Sequence, residues 1–304
     1  MGVSLYYKNL ILVLYVMVLM VVVGVLSPVV VWVGLEMCVL FTLGFMYVEK
    51  VSMEVLFSYY LVQASSSLVM VMGMLGGLPA GFVFGLSMKL GLMPYFWWVV
   101  EVLKGMKMGI GVFLVLGLQK ILPIILFSRW FILNTSMMTF FVYIVSVFSM
   151  FIGLVMMLSS YGLVWVLAGS SMVYSSWIMV FSSIFPSISE VYLIVYLIFV
   201  GLVVWGSIDG VLGVNSWVMM VFSSVPPMTG FILKMYGLLT LNYNLIMVVL
   251  TMIMISSMSS VAYLRSLMLT GMESSLCNVE SGVSSRFILS LWGFITMIMV
   301  MMLV

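Results

Sequence analysis

Residues 85–98 read GLSMKLGLMPYFWW and place the ammonium group of Lys89 inside an apolar segment long enough to span a membrane. Gly91 and Pro94 follow Lys89, so a helix that carries the lysine is predicted to break close to the charge. A lysine at the centre of a bilayer costs roughly 2.5 to 3.5 kcal/mol on insertion scales. The stretch therefore predicts a membrane helix whose lysine has a partner or a function.

The composition of the whole chain also indicates a membrane protein. Of 304 residues, 66% are hydrophobic and only 6% are charged, whereas soluble domains carry roughly 25% charged residues. The net charge of +2 gives no reason to expect a nucleic-acid partner. The chain has no histidine, and its two cysteines, Cys38 and Cys277, are far apart. We therefore expect no metal, haem or iron–sulfur site on this chain, and the absence of a Walker loop argues against nucleotide binding.

Hydropathy predicts about eleven transmembrane helices, since each span needs about 20 apolar residues. The fold class is thus an all-α polytopic membrane protein with a single membrane domain over residues 1–304. The predicted spans are Leu5–Leu26, Pro28–Val48, Val55–Gly76, Ala80–Val99, Met108–Phe127, Trp130–Leu158, Tyr161–Ser182, Ser189–Ile208, Leu212–Leu239, Leu245–Leu267 and Phe287–Val304.

The basic residues of the predicted loops indicate the orientation of the chain. If the N-terminus faces the inner compartment, the outer loops hold only Arg129. The inner loops then hold the other loop cations, namely Lys8, Lys50, Lys104, Lys107, Arg265 and Arg286. An odd number of spans places the C-terminus outside.

Two predicted spans carry the strongest helix breaks, and they lie five helices apart. The fourth contains Pro94, and the ninth contains Pro226, Pro227 and Gly230 ahead of Lys234. A repeat of five helices is inverted because five is odd, and matched broken helices are typical of transport proteins. We therefore expect an antiporter-like inverted repeat. Its first half is residues 1–128, with Glu36, Lys89 and Lys120, and its second half is residues 129–268, with Lys234. Residues 269–304 are predicted to form a polar loop and the last helix.

Four ionisable residues are predicted at membrane depth: Glu36, Lys89, Lys120 and Lys234. One interpretation is a row of protonatable groups joined by water, because burial disfavours an ammonium group and a nearby carboxylate favours it. The alternative is a structural ion pair together with two lysines that snorkel to the interface. We favour the first interpretation, since three lysines outnumber one glutamate and helix breaks accompany them.

Four further residues are accessory candidates: Glu54, Glu101, Ser171 and Tyr174. Each also has a structural interpretation. Acidic residues are favoured at helix N-termini, where Glu54 lies, and a solvated inner loop accounts for Glu101. The hydroxyl-rich stretch AGSSMVYSSW, residues 168–177, could hold a chain of water or simply pack against neighbouring helices.

Five motifs resemble a known family, and they occur in the same order along the chain. They are VGLEM (33–37), YYLVQASSS (59–67), MKLGLMPYFWWVVEV (88–102), LQKILP (118–123) and VPPMTGFILKM (225–235). They resemble the subunit 2 family of mitochondrial NADH dehydrogenase, whose members are antiporter-like subunits in the membrane arm of respiratory complex I. The first thirty and last sixty residues match this family only in hydropathy.

The resemblance implies a proton-translocating subunit of the mitochondrial inner membrane, with eleven spans and its N-terminus in the matrix. Glu36 and Lys89 would be the coupled pair, Lys120 the central relay lysine and Lys234 the lysine that passes protons toward the next subunit or the outer face. The partners would be other membrane-arm subunits and membrane lipids. NADH, FMN, iron–sulfur clusters and ubiquinone would bind to other subunits, with no cofactor on this chain.

The sequence departs from the family at several positions. The family often has a histidine where this chain has Phe96 and Tyr174, and a lysine where it has Ser58. A basic pair of the family is replaced by Val164 and Trp165. Proton entry routes that need those side chains are therefore not expected here.

Two other functions use the same residues. A free-standing secondary cation/proton antiporter would share the buried lysines but would work without redox partners. A structural scaffold would use the charges only to hold helices together. The three hypotheses differ in whether proton movement depends on quinone reduction elsewhere in a complex.

Overall fold

A computed structural model describes residues 2–25, 27–131, 136–159, 162–184, 186–208, 230–231, 234–235 and 246–276. Regular structure in these residues is helical, with no β-strand. A 3-10 turn covers Leu118–Lys120. The α-helices are α1 (Gly2–Val23), α2 (Pro28–Val48), α3 (Met53–Leu75), α4 (Pro79–Leu90), α5 (Trp97–Gly105), α6 (Ile110–Leu116), α7 (Ile121–Phe131), α8 (Ser136–Ser159), α9 (Leu163–Ile184), α10 (Pro186–Ile208) and α11 (Ile246–Leu276).

Eight helical segments of the described residues are long and apolar enough to cross a membrane. They correspond to the predicted spans one to three, five to eight and ten, which confirms an all-α polytopic membrane protein. The last predicted span and most of the ninth, including Pro226 and Pro227, lie outside the described residues. The helix α11 continues to Leu276, so the polar loop predicted from residue 269 begins as helix instead. Leucine, methionine and glutamate in residues 267–276 are good helix formers and extend α11 past its apolar part.

The predicted break in the fourth span is confirmed, but Gly91 rather than Pro94 ends the helix. Gly91 adopts φ +70°, the left-handed conformation that glycine tolerates. The amide of Leu92 then donates to the carbonyl of Ser87 at 2.8 Å, which closes α4. Pro94 follows in the connection to α5, after a cis peptide bond.

The fifth span also contains a break, close to Lys120. The helix α6 ends at Leu116, Gly117 follows with φ −102° and ψ −80°, and the 3-10 turn carries Gln119 and Lys120 before α7 begins. Pro123 lies in the first turn of α7, where its missing amide hydrogen removes no helical bond. The interruption therefore falls at Gly117 and places Lys120 at the point where the helix restarts.

The chain forms two compact units. The first consists of Met1–Ser149 and Tyr174–Leu193, and the second of Met150–Val173 and Ile194–Val304. In the first unit, α3 and α4 pack closely because glycines replace side chains where they meet. A methyl group added to Gly85 would lie 2.7 Å from the Met70 nitrogen and 2.8 Å from the Ser66 oxygen. Small residues at such contacts are how membrane helices approach one another.

The second unit uses the same device where α8 meets α9. A methyl group added to Gly153 would lie 2.9 Å from the carbonyl oxygen of Gly169. The guanidinium of Arg265, on α11, donates to the Leu158 carbonyl near the end of α8 at 2.6 Å. Arginine thereby satisfies a terminal helix carbonyl that has no partner within α8.

Candidate functional site

Glu36 and Lys89 form an ion pair within the first unit. The Nζ atom of Lys89 lies 2.8 Å from Oε1 of Glu36, and it donates a hydrogen bond to that oxygen. The lysine side chain is only 2% exposed, whereas that of Glu36 is 31% exposed. The pair thus joins an enclosed ammonium group to a carboxylate that reaches the surface of the chain.

The position of Lys89 on α4 adds a second source of stabilisation. Lys89 lies in the last turn of α4, where the partial negative charge of the helix C-terminus favours a cation. The carbonyl of Met88, freed by the end of the helix, accepts hydrogen bonds from the Gly91 amide and from Nε1 of Trp98 at 3.1 Å each. The carbonyl group freed at the end of α4 therefore has hydrogen-bond partners next to Lys89.

Lys120 is a second buried lysine of the first unit. Its residue is 5% exposed, and its backbone amide donates to the carbonyl of Gly117 at 3.0 Å in the 3-10 turn. The break at Gly117 thus fixes the backbone that carries Lys120. Snorkelling would require an exposed ammonium end, and the buried position of Lys120 does not provide one.

Lys234 belongs to the second unit and is also buried, with 4% exposure. It lies in a helical segment, as does Gly230, which is buried. Snorkelling does not describe Lys234 either. The prolines predicted to break this span, Pro226 and Pro227, lie outside the described residues.

The accessory candidates divide into two groups. Glu54 and Glu101 are exposed, which agrees with their structural interpretation as a helix N-terminal acid and a solvated charge. Ser171 and Tyr174 are buried in α9. The hydroxyl of Ser171 donates to the carbonyl of Ala168 one turn earlier, at 2.8 Å.

A buried polar cluster of the first unit was missed by the sequence analysis. The hydroxyl of Tyr59, on α3, is hydrogen-bonded to Oγ1 of Thr42 on α2 at 2.7 Å and accepts a bond from Nε2 of Gln119. Gln63 lies one turn from Tyr59 and is 1% exposed. The sequence signal that could have revealed this cluster was the presence of Gln63 and Gln119 in apolar spans. A buried amide group must find hydrogen-bond partners.

Cofactor and metal sites need clusters of ligating side chains. Among the residues that the structure describes, no group of three or more His, Cys, Asp or Glu residues could hold a metal ion. The polar groups of the Glu36–Lys89 pair, Lys120 and the Tyr59 cluster are instead lysines, one carboxylate, hydroxyls and amides.

No family model matches the chain. Curated relatives do: NADH-ubiquinone oxidoreductase chain 2 of Hylobates lar is 28% identical, with 67% of each chain covered. The same chain of Mus musculus is 26% identical and covers 67% of this chain and 68% of its own length. That of Didelphis virginiana is 30% identical over 55% of this chain and 52% of its own length.

Among solved structures, a chain of the Mrp complex from Dietzia sp. DQ12-45-1b is similar, with a TM-score of 0.68 at 14% sequence identity. The match covers 79% of this chain but only 56% of that one. This likeness shows the fold and confirms the antiporter-like architecture, while the number of spans and the orientation stay predictions. The relatives agree with the family that the five motifs indicate, and the chain is a homologue of NADH-ubiquinone oxidoreductase chain 2.

Proposed function

We propose that this chain is a proton-translocating subunit of NADH:ubiquinone oxidoreductase in the mitochondrial inner membrane. Glu36, Lys89, Lys120 and Lys234 would form its proton relay, driven by quinone reduction on other subunits. The names of the curated relatives and the antiporter-like fold support this proposal. NADH, FMN, the iron–sulfur clusters and ubiquinone would bind elsewhere in the complex, and other membrane-arm subunits and lipids would surround this chain.

The observation that carries the proposal is the ion pair of Lys89 and Glu36 at the end of a broken membrane helix. An enclosed ammonium group depends on its carboxylate partner, because burial otherwise favours the neutral amine. A change in the charge or position of Glu36 would therefore release a proton from Lys89. Restoring the carboxylate would draw a proton back.

Lys120 is the proposed receiver of that proton within the first unit. It is buried in the same unit, and its backbone is held where α7 begins. Moving one charge against the membrane potential costs about 2.3 kcal/mol per 100 mV, so a permanently open row of groups would leak. The relay must therefore connect to one side of the membrane at a time, and breaking and remaking the Glu36–Lys89 pair would supply that alternation.

The test is Lys89→Met in the assembled complex, reconstituted into proteoliposomes and supplied with NADH and quinone. We expect the complex to assemble and to transfer electrons when an uncoupler is present, while coupled proton pumping is abolished. Lys107→Met is the matched control, because it removes an exposed lysine from the same unit. Full pumping by an assembled Lys89→Met complex would exclude the relay role of Lys89.

Purification in mild detergent separates the proposal from a free-standing cation/proton antiporter. Co-purification with flavin and iron–sulfur subunits is expected for a subunit of the complex. An antiporter would instead exchange a cation for protons in proteoliposomes that contain this chain alone. If the charges only hold helices together, the Glu36→Gln complexes that do assemble would pump the wild-type number of protons per NADH, whereas the relay predicts that they pump fewer.

A further inference from the structure

The close packing of α3 against α4 fixes which residues of the two helices lie at the same level. The helices are antiparallel, since Gly81 lies against Gly73 while Gly85 lies against Ser66 and Met70. A step forward along α4 is therefore a step backward along α3. This register extends to the polar residues of both helices.

Lys89 follows Gly85 by four residues, so it lies on the same side of α4 as the glycines that meet α3. Gln63 precedes Ser66 by three residues and lies on the side of α3 that meets α4. The register therefore places Gln63 at the level of Lys89 on the facing helix. Gln63 is 1% exposed, and neither its Oε1 nor its Nε2 atom has a hydrogen-bond partner.

One turn further along the same side of α3 lies Tyr59, which is fully buried. The hydroxyl of Thr42 donates to the carbonyl of Val39 at 2.7 Å, so the phenol of Tyr59 is the donor in its bond with Thr42. The oxygen of Tyr59 in turn accepts from Nε2 of Gln119. This arrangement fixes the amide of Gln119, the residue next to Lys120.

The remaining oxygen of Gln119, Oε1, is buried and has no hydrogen-bond partner. Three amide atoms are thus buried without a hydrogen-bond partner, two of Gln63 at the level of Lys89 and one of Gln119, which precedes Lys120 in the chain. Leaving a buried polar group unpaired costs about 1 to 3 kcal/mol. Buried water typically binds at such positions, through about 3 hydrogen bonds to unsatisfied polar groups.

We propose that Gln63 and Gln119 form a binding site for ordered water, and that this water carries protons between Lys89 and Lys120. Tyr59 is a positioning residue, because it holds the Gln119 amide in place. The inference rests on the proposed proton relay and names the groups that link its first two lysines. None of the three side chains needs to change its own charge.

Each transfer conserves protons and charge. An N–H bond of the Lys89 ammonium breaks as a new O–H bond forms on the neighbouring water. That water releases a different proton to the next water, and the last water delivers one to the neutral amine of Lys120. Gln63 and Gln119 only orient the water through their carbonyl oxygens and amide hydrogens.

The first test is a high-resolution structure of the wild-type assembled complex. We expect ordered water within hydrogen-bond distance of the Gln63 amide. A structure in which Gln63 and Gln119 pair only with protein groups, with no water beside them, would overturn the proposal. This test requires no variant to fold.

The second test compares proton pumping by assembled complexes that carry Gln63→Leu or Tyr59→Phe. Gln63→Leu removes both amide groups at similar volume, and we expect coupled pumping to slow by about tenfold or more, because the water is no longer held in a reactive position. Tyr59→Phe removes one hydroxyl and should slow pumping less. Uncoupled NADH oxidation should not change, and Met70→Leu, an apolar change on the same side of α3, should pump normally.

Lys89→Met is measured alongside Gln63→Leu, so that failure of the water site can be told apart from failure of the relay. If Lys89→Met abolishes pumping while Gln63→Leu pumps at the wild-type rate, the water site is wrong and the relay stands. If both variants pump at the wild-type rate, the relay itself is wrong.

Discussion

The ammonium group of Lys89 lies 2.8 Å from the carboxylate of Glu36, which is 53 positions away in the sequence. The pair is asymmetric, because the lysine is enclosed and the glutamate is 31% exposed. A change in the surroundings of the chain can therefore reach the carboxylate directly and the ammonium group only through it. In the proposed relay, Glu36 would therefore be the point of control for the charge on Lys89.

Replacing Glu36 by Gln should destabilise the first unit, since it leaves a buried ammonium without its counter-ion. We expect a loss of about 3 kcal/mol, the lower end of the range for breaking a buried pair, because Glu36 is partly exposed. The measurement is the thermal denaturation of the purified protein. The double variant Glu36→Gln with Lys89→Met should recover most of the loss, and equal destabilisation of the single and double variants would argue against the pair.

Replacing Gly85 by Ala should force α3 and α4 apart. The added methyl group would lie within 2.8 Å of backbone atoms of Ser66 and Met70, which cannot rotate away as a side chain can. Overpacking of this kind costs about 1 to 3 kcal/mol, measurable by denaturation. Gly44→Ala is the control, since its methyl group would meet only Ile11 at 3.7 Å. Similar stability of the two variants would contradict the close packing.

Replacing Arg129 by Met should loosen the end of α1. The guanidinium of Arg129 donates to the carbonyls of Val23 and Val25, oxygens with no partner inside the helix. Hydrogen bonds to a charged group contribute about 1.5 to 3 kcal/mol each. Hydrogen–deuterium exchange should speed up at the last turn of α1. Arg129→Lys should recover part of the protection, because an ammonium group lacks the two-pronged geometry of arginine. Unchanged exchange in Arg129→Met would show that these bonds do not hold the helix end.

Much of the helical architecture could be predicted from the sequence because membrane helices depend on local composition. The second span was predicted as Pro28–Val48, which are the ends of α2. Pro28 suits the first position of a helix, and the polar residues Glu49 and Lys50 follow its apolar run. The ionisable residues of the spans were equally visible, since Glu36, Lys89, Lys120 and Lys234 stand out among apolar neighbours.

Features that depend on contacts between distant residues could not be predicted. Pro94 was the expected cause of the break in the fourth span, but Gly91 ends the helix because glycine readily adopts the left-handed conformation that closes α4. In the fifth span the break falls at Gly117, whereas the nearby Pro123 lies inside the first turn of α7. The hydrogen bonds of Tyr59 with Thr42 and Gln119 join three separate helical segments. No local sequence pattern predicts contacts between segments so far apart in the chain.

The most direct measurement of the central claim is the number of protons pumped per NADH oxidised by the assembled Lys120→Met complex in proteoliposomes. Lys120 is buried and is not part of the Glu36–Lys89 ion pair, so its loss tests proton transfer separately from the stability of that pair. We predict that uncoupled electron transfer continues and that coupled pumping is lost. Wild-type pumping by an assembled Lys120→Met complex would contradict the relay.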